Sequence, residues 1–192
     1  IQKMFGAGGD ERVSSSISFS IQKRLIWLHI NLATAFLASI VIALFEDVIA
    51  RLTVLAVFLP IVASQGGNAG AQSLAVVMRG LALRELEPRF ARKVIVKEGL
   101  LGLLNGLVVG LVAAVTAWLW NGNVYLGVVI GLAMVVNMVS AGISGAAIPI
   151  LMKAFGKDPA QSSNIILTTV TDVVGFFSFL SLAVLFSAFL IN

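Results

Sequence analysis

Charge is missing from four long stretches of this chain. Residues 25–45, 52–78 and 99–152 contain no Asp, Glu, Lys or Arg, and residues 159–192 contain a single one, Asp172. A helix needs roughly 20 residues to cross about 30 Å of hydrocarbon. The first, second and fourth stretches therefore each hold one crossing. The third is too long for one and holds two. It divides at Trp118, Trp120, Asn121, Gly122, Asn123 and Tyr125, where turn formers sit among aromatics suited to a membrane interface. A membrane β-barrel would alternate polar and apolar residues in short segments. These runs are instead continuous and rich in Leu, Val, Ala and Gly. The expected fold is all-α, a polytopic membrane protein with five transmembrane helices at about 25–45, 52–78, 99–119, 124–151 and 164–190.

Composition excludes most other functions. Charged residues make up 11% of the chain, less than half the roughly 25% of a soluble domain. Mean hydropathy is +1.03. A soluble enzyme is excluded. With no cysteine and one histidine, His29, disulfides, thiolate sites and His-rich metal centres are excluded too. No Walker A, G-x-S-x-G or His–Glu motif is present, so no enzyme activity is expected.

The net charge of +4 suggests a polyanion partner until the basic residues are mapped. Lys23 and Arg24 precede the first span. Arg79, Arg84, Arg89, Arg92, Lys93 and Lys97 lie between the second and third, and Lys153 and Lys157 between the fourth and fifth. The alternate side carries only Arg51, beside Glu46 and Asp47. Basic residues mark the inner face of a membrane protein, so the expected orientation is N-in/C-out. The expected partner is the lipid bilayer and not nucleic acid. Residues 1–24 read as a cytoplasmic connecting segment, the remnant of a removed N-terminal region, with a polar, flexible stretch at 6–16. They lack the form of a signal peptide. Residues 25–192 form the membrane domain.

Several residues do not belong in lipid. The second span contains Pro60, Gln65, Gly66, Gly67, Asn68, Gly70 and Gln72. Proline removes a backbone donor and glycine weakens a helix, so loosened backbone with exposed carbonyls is expected there. Such backbone is tolerated only inside protein or around a wet cavity. The plainer alternative is a tight helix contact with amides as interhelical ties. In the fifth span Asp172 is the only acid, and no Lys or Arg lies within a span to pair with it. Asn164, Thr168 and Asp172 recur every fourth residue and share one stripe. An intramembrane carboxylate marks a cation or proton path by default. Available ligands are all oxygens, which favour hard cations. One carboxylate per chain cannot cage a dehydrated divalent ion. A hydrated Mg²⁺, which sheds its waters reluctantly, fits best, while Na⁺, Ca²⁺ and H⁺ stay open. The glycine series at Gly102, Gly106 and Gly110 and at Gly127 and Gly131 are read as packing within one subunit, as are Asn105 and Asn137.

At two segments the chain resembles the MgtE family of magnesium channels and transporters. One is the pattern Pro60, Gly67, Asn68, Gly70, Gln72, continued by Arg79-Gly80-Leu81-Ala82. The other is Asn164, Asp172, Gly175, preceded by Asp158-Pro159-Ala160. Lys97-Glu98-Gly99-Leu100 is similar as well. The resemblance implies a homodimer in a bacterial-type inner (cell) membrane, with a pore at the two-fold interface lined by the second and fifth spans. It implies that Asp172 binds Mg²⁺, the transported ion, and that Asn164, Thr168, Gly67, Asn68 and Gln72 help surround it in its hydration shell. It also implies an upstream cytoplasmic regulatory region with CBS domains in the full-length protein. Passive Mg²⁺ flow is the expected function, with an Na⁺- or H⁺-coupled divalent cation exchanger as the alternative.

Overall fold

The computed structural model describes residues 11–159 and 163–190; Ala160 of the expected turn and residues 1–10 lie outside them. The described chain forms helices α1 (Ile17–Ala43), α2 (Glu46–Arg51), α3 (Val54–Ala82), α4 (Ala91–Asn121), α5 (Val124–Ala154), α6 (Ser163–Leu185) and α7 (Ser187–Leu190), with one 3₁₀ turn at Pro88–Phe90. No strand occurs among the described residues. Five of the helices, α1, α3, α4, α5 and α6, are long and apolar enough to cross a membrane. α1 and α4 begin ahead of their charge-free runs. Charge marks where hydrocarbon ends. A helix, whose backbone bonds are internal, runs on into water.

The turn at Asn121–Asn123 shows how local sequence sets a boundary. Gly122 adopts φ 77°, the left-handed conformation that caps a helix, and its N–H donates to the Trp118 carbonyl at 2.7 Å. Asn123 then caps α5, its Oδ1 accepting from the Tyr125 and Leu126 N–H groups at 2.9 and 3.3 Å.

α5 is the centre of the bundle and packs against α3, α4 and α6. Val129, Ile130, Ala133, Met134 and Ala141 on α5 are buried, and one apolar cluster joins α5 to Leu55, Phe58 and Val62 of α3 and to Phe179, Leu180 and Ala183 of α6. α1 is peripheral. It packs on α6 and buries only Ala38. Exposed Leu and Val on α1 and α4, such as Leu37, Leu104, Leu107 and Leu111, form the surface that lipid covers.

Glycine brings α4 and α5 into backbone contact. A Cβ added at Gly102 would stand 2.3 Å from the Met138 carbonyl oxygen, and one at Gly142 2.3 Å from the Glu98 carbonyl oxygen. Gly110 faces the Gly131 backbone, and Gly127 faces the Ala114 carbonyl. The two glycine series therefore pack within one chain, as their spacing suggested.

The second span differs from the expectation of loosened backbone. α3 is one unbroken helix from Val54 to Ala82, running through Pro60, Gly66, Gly67 and Gly70. Two of those glycines serve close approach. Gly66 meets the Asn137 side chain and Gly70 the Leu167 side chain, whereas a Cβ at Gly67 would meet nothing within 4 Å. Glycine keeps its N–H, so the helical ladder survives wherever neighbours hold the helix in place.

The contacts predict a contrast between two alanine substitutions. Gly142→Ala should lower stability by about 1–3 kcal/mol, the cost of overpacking. Gly80→Ala, whose added methyl would meet no packing neighbour within 4 Å, should be neutral or stabilising by up to roughly 1 kcal/mol. Thermal unfolding of the detergent-solubilised variants measures both.

Candidate cation site

The fifth-span stripe sits at the edge of a buried face. On α6, Ile165, Leu167, Thr171, Gly175 and Phe179 are buried. Asn164, Thr168 and Asp172 border them and are partly exposed. The Thr168 hydroxyl donates to the Ile165 carbonyl at 3.1 Å, and the buried Thr171 hydroxyl to the Thr168 carbonyl at 3.0 Å. Those hydroxyl protons are spent inside the helix, which leaves lone pairs as the groups to offer a cation. The side chains of Asp172 and Asn164 make no hydrogen bond within the described residues.

On α3 the candidate residues divide by face. Gly66 and Gly70 point into the bundle, and Gly70 meets α6 at Leu167. Asn68 and Gln72 stand two residues to either side of Gly70. Residues so spaced lie on roughly opposite sides of a helix, and both side chains are exposed. Gly67 is open on its outer side. A single chain thus places Asn68 and Gln72 away from the α6 contact and presents a polar, small-residue surface outward from a membrane span. Among the described residues no three His, Cys, Asp or Glu gather into a metal-binding group.

Gln72 borders a cleft of about 240 Å³ between α3, α4 and α5, together with Ser73, Glu98 and Asn105. Ser73 is buried and donates to the Gly142 carbonyl at 3.1 Å. Glu98 is also buried, with the exposed Lys97 ammonium 4.0 Å from its Oε1. Asn105 is exposed at this cleft and does not serve the packing expected of it.

Asn137 is the polar tie that the core depends on. It is fully buried on α5, and its Nδ2 donates to the Val62 carbonyl of α3 at 2.8 Å. On its other sides it fills the space that side chains at Gly66 of α3 and Gly175 of α6 would occupy. Its Oδ1 has no hydrogen-bond partner among the described residues. One amide thus touches both helices that carry candidate ligands, and Gly175 lies three residues from Asp172. The sequence held a signal for it. Ala133, Asn137, Ala141 and Gly145 recur every fourth residue, a stripe of small side chains with one amide in it.

Comparison with known proteins decides the family. The family model for MgtE, a divalent cation transporter, matches residues 59–182. The chain belongs to the MgtE family. It is 34% identical over 186 residues to a protein named magnesium transporter MgtE in Enterococcus faecalis, a match covering 96% of this chain and 41% of the relative. It is 30% identical over 185 residues to the protein of that name in Bacillus subtilis, again over 96% of this chain and 41% of the relative. It is 36% identical over 160 residues to the one in Thermus thermophilus, over 83% of this chain and 35% of the relative. This MgtE-family chain spans about two fifths of the length of these relatives. It is a multi-pass membrane protein, and its family is one of transporters, not enzymes.

Asn137→Ala should lower stability by about 1 kcal/mol, the scale of an interhelical hydrogen bond in a membrane, with a further cost for the cavity it leaves. Unfolding in detergent measures the loss, and an unchanged midpoint would show that the amide is not a structural tie.

Proposed function

We propose that this chain is the pore-forming membrane domain of a magnesium channel that works as a homodimer. The observation that carries the reading is Asp172, the one carboxylate in the hydrophobic stretches, only partly covered by its own chain and held beside Thr168 and Asn164. Membrane carboxylates face a cavity, a partner group or a cation path.

The outward face of α3 supports the dimer. Asn68 and Gln72 are exposed there, beside the open Gly67. Amides in contact with lipid are costly, and small residues favour close approach of another helix. A second copy against this face relieves that cost. It brings two α3 and two α6 helices around one axis, with two Asp172 carboxylates and the oxygens of Asn164, Thr168, Gly67, Asn68 and Gln72 near it.

The chemistry of such a pore suits Mg²⁺. Two carboxylates match the charge of one divalent ion. Without a cation between them, the like charges repel. Amide, hydroxyl and carbonyl oxygens bind the waters of the hydrated ion, so full dehydration is not required. An inside-negative potential drives a divalent ion inward by about 4.6 kcal/mol per 100 mV. The basic residues in the first turns of α1, around the α3–α4 connection and at the end of α5 support N-in/C-out orientation. The names of the relatives agree with magnesium as cargo. Their greater length leaves room for the upstream cytoplasmic regulatory region, of CBS type, that the family resemblance implies.

Replacing the carboxylate provides the test. Asp172→Ala should abolish Mg²⁺ flux into proteoliposomes while the protein still elutes as a folded dimer. Unchanged flux would overturn the assignment. In wild type, currents should reverse at the Mg²⁺ equilibrium potential. A reversal potential that follows Na⁺ or pH would instead identify a coupled exchanger.

A further inference from the structure

The outer face of α4 changes character along its length. Its first turns present Arg92, Lys93 and Lys97, all exposed, and the turns that follow present exposed Leu100, Leu101 and Leu104 on the same face. Together they line an open groove of about 570 Å³ on the bundle surface. Lys97 to Leu104 spans roughly 10 Å along the helix, a length suited to the upper part of an acyl chain.

The cations of this groove are only weakly neutralised by the protein. Arg92 and Lys93 form no ion pair with a described residue, whereas the nearby Arg89 is paired with Glu87 at 2.7 Å. Lys97 lies 4.0 Å from Oε1 of Glu98, whose carboxylate is buried in the adjoining cleft between α3, α4 and α5. No carboxylate lines the groove, so it offers nothing to a headgroup ammonium. Long basic side chains at a membrane boundary lay their stems on apolar surface and raise the charged end to the headgroups.

We propose that this groove binds one phospholipid of net negative charge, its phosphate held by Arg92, Lys93 and Lys97 and its acyl chains laid along Leu100, Leu101 and Leu104. The site is selective for charge because cations alone line its head. It adjoins the polar cleft of Gln72, Ser73 and Glu98, with which it shares Lys97 and Leu101. Because α4 packs on α5 through backbone contact, the bound lipid rests on a stiff pair of helices, and its binding does not depend on the magnesium reading.

Native mass spectrometry tests the site. The protein is equilibrated in mixed micelles holding equal parts of dioleoylphosphatidylglycerol and dioleoylphosphatidylcholine, and the lipids retained per chain are counted. Wild type should retain phosphatidylglycerol in preference by roughly tenfold, the scale expected for several basic groups near one anionic headgroup. The triple variant R92Q/K93Q/K97Q should lose most of that preference. The pair K153Q/K157Q, on the other basic loop, should keep it. Equal retention of both lipids by wild type, or equal loss in the two variants, overturns the proposal. A reading that needs no variant comes from ionic strength. The wild-type preference should fall as salt rises, and a preference indifferent to salt contradicts a phosphate held by three cations.

Discussion

Backbone lies against backbone along the α4–α5 seam, and the rest of the molecule is built out from that contact. In lipid no hydrophobic force draws one apolar helix to another, because the hydrocarbon around them is equally apolar. Association must come from close packing and from hydrogen bonds the bilayer cannot supply. Gly102, Gly106, Gly110 and Gly142 remove the side chains that would hold the two helices apart. With α4 seated, α5 becomes the axis on which α3 and α6 pack. Gly145 of α5 lies against the Gly70 carbonyl, and the Ser73 hydroxyl bonds to the Gly142 carbonyl.

That arrangement gives the polar residues of the core distinct duties. Asn137 spends its N–H on α3 and stands against α6, so it ties the three helices around it. Ser73 fastens α3 to α5. Asp172, Asn164, Asn68 and Gln72 have no such bond within the described residues. Their side chains are left to what lies outside the single chain. In a membrane that means a partner helix, water or an ion, since lipid satisfies none of them. The division between spent and unspent polar groups is the physical basis for reading α3 and α6 as pore-lining helices.

The number of spans was legible in the sequence because charge cannot stay in hydrocarbon, and the gaps between charges are as long as a bilayer is thick. Asp172 was legible for the same reason, as the one exception. The ends of the helices were less so. α1 and α4 run past their apolar stretches because helical hydrogen bonding does not stop at the membrane boundary. Gly66 and Gly70 illustrate a deeper limit. A glycine that loosens a helix and a glycine that admits a neighbour look alike in sequence. The distinction rests on Asn137 and Leu167, which lie far along the chain and arrive opposite them only in the fold. Glu98 looked like one more charge of a basic loop, and its burial depends on α5 covering it.

In the proposed pore, two Asp172 carboxylates hold one hydrated Mg²⁺ on a dimer axis. A structure of the protein determined in the membrane with Mg²⁺ present tests this most directly. Ion density is expected on the two-fold axis between the two Asp172 side chains, with the nearest protein oxygens at roughly 4 Å, because a water shell intervenes where direct Mg²⁺–O bonds are about 2.0–2.1 Å. Asp172 side chains that face away from the axis, with no ion between them, would contradict it.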